Sequence, residues 1–342
     1  MKKLLCLLLL LCLLTGCGTA AEPTEPTAGG EETLTVHYID VGQADCALLE
    51  CGGEFMLIDG GNVADSSLVV SYLEKQGVEE LSLVVSTHAH EDHVGGLPGV
   101  LAVYPVGAVW SPTKTYASKC FDDFLYYVNQ QGLEITIPKA GDRFSLGDAQ
   151  IRVLGPVTNY AEPNNTSIVL MVQFGENRFL FTGDMELEAE NDMLDAGADV
   201  KADVLKVGHH GSETSTGYRF LYAVDPDYGV ISVGKGNSYG HPHEAPMSRL
   251  EDAEVTLYRT DELGTVIAVS DGKNITFSWE KASAKPIDPT GTAESYYIGN
   301  KNSKVLHTPD CTGLPAEKNQ IRFENYEDAL SQGFTPCGNC IE

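Results

Sequence analysis

Positive charge is what this chain has least of. Its 342 residues include 22 lysines and arginines against 49 aspartates and glutamates, a net charge of −27. That balance excludes a protein that grips nucleic acid mainly through a broad basic face. Acidic proteins still handle phosphodiesters when bound metals supply the positive charge. Long apolar runs are also scarce. Leu4–Leu14, eleven residues, is too short to span a bilayer comfortably, and no other stretch reads as transmembrane. There is no internal repeat, so a repeat architecture is not expected. Apolar residues make up an ordinary 42%, enough for a sizeable core and one large domain plus a small one.

The Leu4–Leu14 run follows Lys2 and Lys3 and fits the core of a signal peptide. Leu14-Thr15-Gly16-Cys17 resembles the bacterial lipoprotein signal. The resemblance implies removal of residues 1–16, lipidation of Cys17, and anchorage at the extracellular face of the cell membrane. Two acyl chains hold far better than one. Residues 17–32, rich in Pro, Thr, Gly and Glu, read as a flexible tether. Nine cysteines are present. Cys6 and Cys12 leave with the signal. Cys46, Cys51 and Cys120 are an odd set, with a Cys46–Cys51 bridge left open. Cys311, Cys337 and Cys340 belong together near the C-terminus.

Between residues 33 and 280, short β-rich segments alternate with helical patterns. Strands are expected at 34–39, 46–50, 55–58, 81–85, 106–110, 134–137, 149–154, 204–207, 229–233, 255–258, 265–270 and 274–279. A hairpin is expected over 167–174 and 178–182 around Gly175-Glu176-Asn177. Helices are expected at 66–76, 97–104, 120–131, 185–196, 218–224 and 247–252. Two groups of strands interspersed with helices suggest facing sheets with helices outside. Residues 281–292, with Pro286 and Pro289, read as a linker to a small Cys/His module at 293–342.

The chemistry centres on Ser86–Gly96, S-T-H-A-H-E-D-H-V-G-G, directly after an apolar strand. His88, His90, Asp92 and His93 crowd imidazoles and a carboxylate at one strand end, as a divalent metal site requires. Other ligand types arrive at strand ends far down the chain. Asp184 follows Phe179–Thr182, His209-His210 follows Val204–Val207, and His241-Pro242-His243 lies in a Gly/Pro loop.

With these segments the chain resembles the metallo-β-lactamase superfamily, whose HxHxDH signature stands at His88–His93. Within it the match is to the hydrolase domain of ComEC-type DNA-uptake proteins. The segments that carry it are Asp40–Gln43, Leu57–Gly61, Asn164–Ser167, Phe181–Asp184, Leu205–Ser212 and Tyr239–His243. The resemblance implies an α/β fold, the αββα four-layer sandwich, holding two divalent metal ions, zinc or manganese. His88 and His90 would hold one, Asp92 and His93 the other, with Asp184 bridging. One of His209 and His210 would complete the second site, His209 being preferred as ligand and His210 for substrate. No histidine lies between His93 and His209, so the customary third histidine of the first metal is missing. Asn165 occupies roughly its place. Asp59 would orient a ligand imidazole. Asp92, His210 and His241 are the expected catalytic groups, and Lys206 and His243 are candidates to meet substrate.

Paired cations lower the pKa of a bridging water, and the resulting hydroxide attacks an electrophile whose oxygen a metal polarises. The expected function is that of a metal-dependent hydrolase, a phosphodiesterase or nuclease acting on DNA. Alternatives are a phosphodiesterase of phosphorylcholine or other wall polymers, a lactone or β-lactam hydrolase, and a non-catalytic binding lipoprotein. In the C-terminal module, His307, Cys311, Cys337 and Cys340 form a Cys₃His pattern for one structural zinc. The module resembles that of Ada-type DNA repair proteins, where the first of four cysteines accepts a methyl group. Here His307 stands at that position, so a structural zinc is expected instead. Four basic residues (Lys301, Lys304, Lys318, Arg322) against seven acidic ones give this module no strong DNA clamp.

Overall fold

The computed structural model describes residues 32–281 without interruption. Beyond them it describes 284–289, 296–308, 311, 313–323, 329–330, 332–338 and 340–341. The signal segment, Cys17 and the tether up to residue 31 lie outside the described residues, as do parts of the linker and the C-terminal module.

The first half of the large domain supplies β1 (Leu34–Tyr38), β2 (Ala47–Cys51), β3 (Glu54–Ile58), β4 (Leu83–Val85), β5 (Val109–Trp110) and β6 (Ile135–Thr136). The second supplies β7 (Arg143–Leu146), β8 (Ala149–Gly155), β9 (Val169–Phe174), β10 (Asn177–Phe181), β11 (Val204–Lys206), β12 (Tyr228–Ile231) and β13 (Thr256–Arg259). Finally β14 (Val266–Ser270) and β15 (Ile275–Trp279) return to the first sheet. Its order is β15-β14-β1-β2-β3-β4-β5-β6, and that of the second is β13-β12-β11-β10-β9-β8-β7.

Period-two patterning decides which side chain enters which layer. Leu34, Val36, Tyr38 and Leu49 of one sheet meet Leu170, Val172, Phe179 and Phe181 of the other in a buried core between the sheets. Leu48 and Leu57 face outward, onto helices α1 (Ser66–Lys75), α2 (Glu91–Val94), α3 (Leu97–Val103) and α4 (Lys119–Gln130). Val169, Met171 and Leu205 likewise face outward, onto α5 (Leu187–Asp195), α6 (Tyr218–Val224) and α7 (Glu244–Asp252). Three separate apolar layers make the αββα sandwich. α4 shows the local logic. Ser118 caps it by accepting the Phe121 N–H at 3.3 Å, and Cys120, Phe121, Phe124 and Val128 form its buried stripe.

β7 and the single turn α2 are not legible in the sequence. β7 alternates exposed and half-buried residues with only Leu146 fully buried, and four residues are too few to show a helical period. The same alternation settles the cysteines. Cys51 faces the core between the sheets and Cys46 the outer layer, and Cys46, Cys51 and Cys120 are all buried and free. The bridge left open from sequence does not form, because the two thiols point into different layers.

The C-terminal module has its own sheet. It comprises β16 (Tyr297–Asn300), β17 (Val305–His307), β18 (Gln320–Phe323) and β19 (Thr335–Pro336), in the order β18-β16-β17-β19. Its buried core is Leu306, Phe323, Ala329 and Phe334.

Candidate metal centre

Buried parallel strands deliver the site. β4 hands the chain to His88, β10 to Asp184, and β11 to His209-His210, all at one edge of the two sheets. The glycines after the signature let the loops cross. Gly60 N donates to His93 O at 2.7 Å and Gly96 N to Gly61 O at 3.0 Å. A Cβ on Gly96 would run into the carbonyl of Gly60. His209 and His210 are both left-handed, at φ 49° and 52°, a conformation found at functional turns because it costs free energy elsewhere.

Asp92, His93, Asp184 and His210 place one ligand atom each within 4.8 Å of one another. His93 Nε2 is 3.3 Å from Asp184 Oδ1. His210 Nε2 is 3.4 Å from Asp92 Oδ2 and 3.7 Å from Asp184 Oδ2. His93 Nε2, His210 Nε2 and Asp184 Oδ1 are buried and have no hydrogen-bond partner. Buried polar atoms are nearly always satisfied, so this convergence of orphaned donor atoms fits a cation. Beside it, His88 Nε2 lies 3.0 Å from His90 Nδ1 and 3.9 Å from Asp184 Oδ2, leaving Asp184 between the two groups.

His210, not His209, joins the four-residue group. His209 sits at the half-buried rim, its Nε2 3.7 Å from Asp184 Oδ2 and its Nδ1 3.5 Å from Glu186 Oε1. The geometry thus groups His210, rather than the His209 preferred from the sequence, with Asp92, His93 and Asp184.

Behind the imidazoles stand groups that fix their tautomers. His93 Nδ1 donates to Asp59 Oδ2 at 2.8 Å, and Asp59 also accepts from Thr87 N and Oγ1, each at 2.7 Å. His210 Nδ1 donates to Ser232 O at 2.9 Å and lies 3.3 Å from Asp45 Oδ1. Both arrangements engage Nδ1 and turn Nε2 toward the cluster. Lys206 is buried and donates to Asp45 Oδ2 at 2.8 Å. It neutralises a carboxylate inside the protein. His243 is also committed: its Nδ1 accepts from Glu213 N, and its Nε2 donates to Tyr239 O. Asn165 accepts from Glu186 N and donates to Glu188, so its amide anchors the turn after Asp184.

His241 stands differently. Gln43 Oε1 accepts from Gly234 N at 3.0 Å, which aims Gln43 Nε2 at His241 Nδ1, 3.3 Å away. Nδ1 is thus an acceptor and Nε2 carries the proton. Burial, reinforced by His209, His210 and His243, lowers His241 to about 4, so it is neutral at physiological pH.

Electrostatics fit the same picture. At His93, burial favours the neutral ring, but Asp184, Asp59 and Asp92 together outweigh it and raise the group well above its ordinary value. At His210, burial is outweighed by Asp184 and Asp45, and the group rises to about 10. His88, held down by burial and then by His93, stays neutral. The carboxylates of the cluster draw positive charge onto the imidazoles beside them.

In the C-terminal module, His307, Cys311, Cys337 and Cys340 form a second four-residue group. Cys311 and Cys337 Sγ are 4.0 Å apart, and His307 Nδ1 is 3.2 Å from Cys311 Sγ. Sulfurs bound tetrahedrally to one zinc stand about 3.8 Å apart, so these spacings fit.

Comparison with known proteins now decides the family. Residues 39–235 match the metallo-β-lactamase superfamily. The chain belongs to that superfamily. Residues 287–342 match the metal binding domain of Ada. ComE operon protein 3 of Bacillus subtilis is 33% identical over 68% of this chain and 32% of its own length. Recombination protein 2 of Haemophilus influenzae is 31% identical over 68% of this chain and 28% of its own. Competence protein ComA of Neisseria gonorrhoeae is 30% identical over 70% and 33%. The chain thus spans about a third of the length of these relatives. It is a metallo-β-lactamase-fold hydrolase related to competence proteins, with a Cys/His metal-binding module behind it.

Sequence reasoning assigns no role to Asp45, Gln43, Ser232, Thr87 or Glu186. Asp45 alone leaves a signal, as a carboxylate inside the apolar run Ala44–Leu49.

Proposed function

We propose that the protein is an extracellular, membrane-anchored phosphodiesterase that cleaves DNA. The observation that carries this is the buried cluster of Asp92, His93, Asp184 and His210, whose unpartnered atoms converge in a domain akin to those of competence proteins. Divalent cations bound there supply Lewis acidity toward a phosphoryl oxygen and lower the pKa of water. The chain's own residues do the rest. Asp59 and Thr87 hold His93, while Asp45 and the Ser232 carbonyl hold His210, so the ligand geometry is set before substrate arrives. His241 presents its Nε2–H to a phosphate or leaving-group oxygen, and Gln43 fixes that tautomer. His209, at the rim, contacts substrate. The Cys₃His group of the C-terminal module binds a structural zinc, and Cys17 carries the lipid anchor.

The test is hydrolysis by the purified full chain with manganese or zinc. Substrates are single-stranded DNA, bis-p-nitrophenyl phosphate, p-nitrophenyl phosphorylcholine and a chromogenic cephalosporin. DNA cleavage that disappears in His93→Ala and Asp184→Ala is the expected result. Turnover of the choline ester or the cephalosporin without DNA cleavage would replace the reading, and no turnover with any metal would end it.

A further inference from the structure

Tyr239 is a large aromatic side chain left 66% exposed, yet it does not stand alone. Its ring stacks on His241 at 5.6 Å and 23°, and His241 stacks on His210 at 6.4 Å and 26°. Three nearly parallel rings therefore run from solvent to the metal cluster. By contrast, Tyr116, which meets His90 edge-on at 6.0 Å, also packs against Phe121 and is partly buried.

The loop that carries Tyr239 is held rigid by one side chain. Asn237 Nδ2 donates to Gly234 O at 2.9 Å and His241 O at 2.6 Å. Its Oδ1 accepts from Tyr239 N at 3.1 Å and His241 N at 3.0 Å. An exposed aromatic ring on a pre-ordered loop, one ring away from a ligand imidazole, is a surface waiting for a flat partner. Lys235, on the same loop, is exposed and makes no ion pair among the described residues. On so acidic a chain, one loop thus carries both an exposed cation and an exposed aromatic ring, the two group types that hold single strands.

We propose that Tyr239 is a stacking platform for a nucleobase next to the scissile phosphate, with Lys235 on the adjoining phosphate. The substrate class is then single-stranded nucleic acid. This rests on the phosphodiesterase reading and narrows it. Stacking on an aromatic face is available only when the base is unpaired and tolerates any base, so discrimination falls between strands with and without bases.

Kinetics of the full chain with manganese test it, comparing an oligodeoxythymidylate with a strand of equal length carrying abasic spacers. Tyr239→Ala should raise KM for the base-bearing strand about ten-fold and leave kcat within about two-fold, with Tyr239→Phe close to wild type. The abasic strand should be insensitive to either change. A 5-iodouracil strand, irradiated in complex with the protein, should join Tyr239, read by mass spectrometry. Equal KM for both proteins on the base-bearing strand overturns the platform. So does a Tyr239→Ala defect confined to p-nitrophenyl phosphorylcholine, which would assign the ring to a quaternary ammonium. If wild type hydrolyses no phosphodiester, the phosphodiesterase reading fails and the crosslink alone decides Tyr239, a base joined elsewhere or nowhere overturning it.

Discussion

The two metal-binding groups of this chain are built on opposite terms. In the hydrolase domain, three apolar layers hold the fold and converge carboxylates and imidazoles at a sheet edge. The fold there exists first and imposes a cluster of buried charge. In the C-terminal module, the apolar cluster among the described residues is Leu306, Phe323, Ala329 and Phe334 beneath a four-stranded sheet, and the Cys₃His group gathers at one end of it. There the ligands do part of the work of a core. One site strains a stable scaffold, and the other completes a weak one. Metal should therefore mean activity in the first and structure in the second.

The sharpest way to break that contrast is to remove the metals. Structural zinc contributes on the order of 10 kcal/mol to small domains. Chelation, or Cys337→Ser, should collapse the dispersed amide resonances of β16–β19 while those of the large domain persist. Loss of both sets together would refute the contrast. Next, Asp184→Asn should lower hydrolysis by about 10³-fold. Its melting temperature without added metal should fall, because burial is outweighed by His93 and His210, which hold the Asp184 carboxyl well below the usual carboxylate range, an attraction the neutral amide gives up.

A third prediction concerns Glu190, away from the cluster. It is buried, and accepts from Thr216 N and Gly217 N in the loop after His210. Burial outweighs the Gly217 and Thr216 N–H groups and Arg249, raising Glu190 to about 7. The folded state thus holds this proton more tightly than the unfolded one. The stability it gives is complete below the unfolded pKa, near 4.5, and is lost as pH rises through about 7. That amounts to about 3 kcal/mol. Urea unfolding of wild type and Glu190→Gln at pH 4 and pH 8 should show their stability difference shift by that amount, and a constant difference would refute it. The smallest effect is expected at Asp59. Asp59→Asn should cost roughly 10- to 100-fold in metal affinity or activity, read by titration with metal, with little change in fold.

Much of the site was legible because its ligands sit where apolar strands stop. Short apolar strand segments needed no tertiary information: Leu83–Val85, Phe179–Phe181 and Val204–Lys206 each lead to the polar residues that follow. Apart from Asp59, which the resemblance set against a ligand imidazole, what lay behind the ligands was not legible. His210 is fixed by the Ser232 carbonyl, and a backbone acceptor leaves no mark in sequence. Gln43 and His241 are 198 residues apart and meet only through the fold. The choice between His209 and His210 turned on burial, which adjacent identical residues cannot reveal. Lys206 looked exposed at a strand end, and its partner Asp45 is 161 residues away.

The thiols of the large domain carry one further consequence. Burial raises Cys46 well above its ordinary value and raises Cys51 as well; Cys51 is walled in between the sheets, Cys46 and Cys120 in the layer under the helices, and none is paired. A buried, protonated thiol is a poor nucleophile. The large domain is thus inert to the redox state around it and needs no oxidant to mature. The C-terminal cysteines, half-buried at Cys337 and Cys340, would be guarded by the zinc proposed for their Cys₃His group instead. An oxidant should strip that module first and leave the hydrolase domain folded behind it.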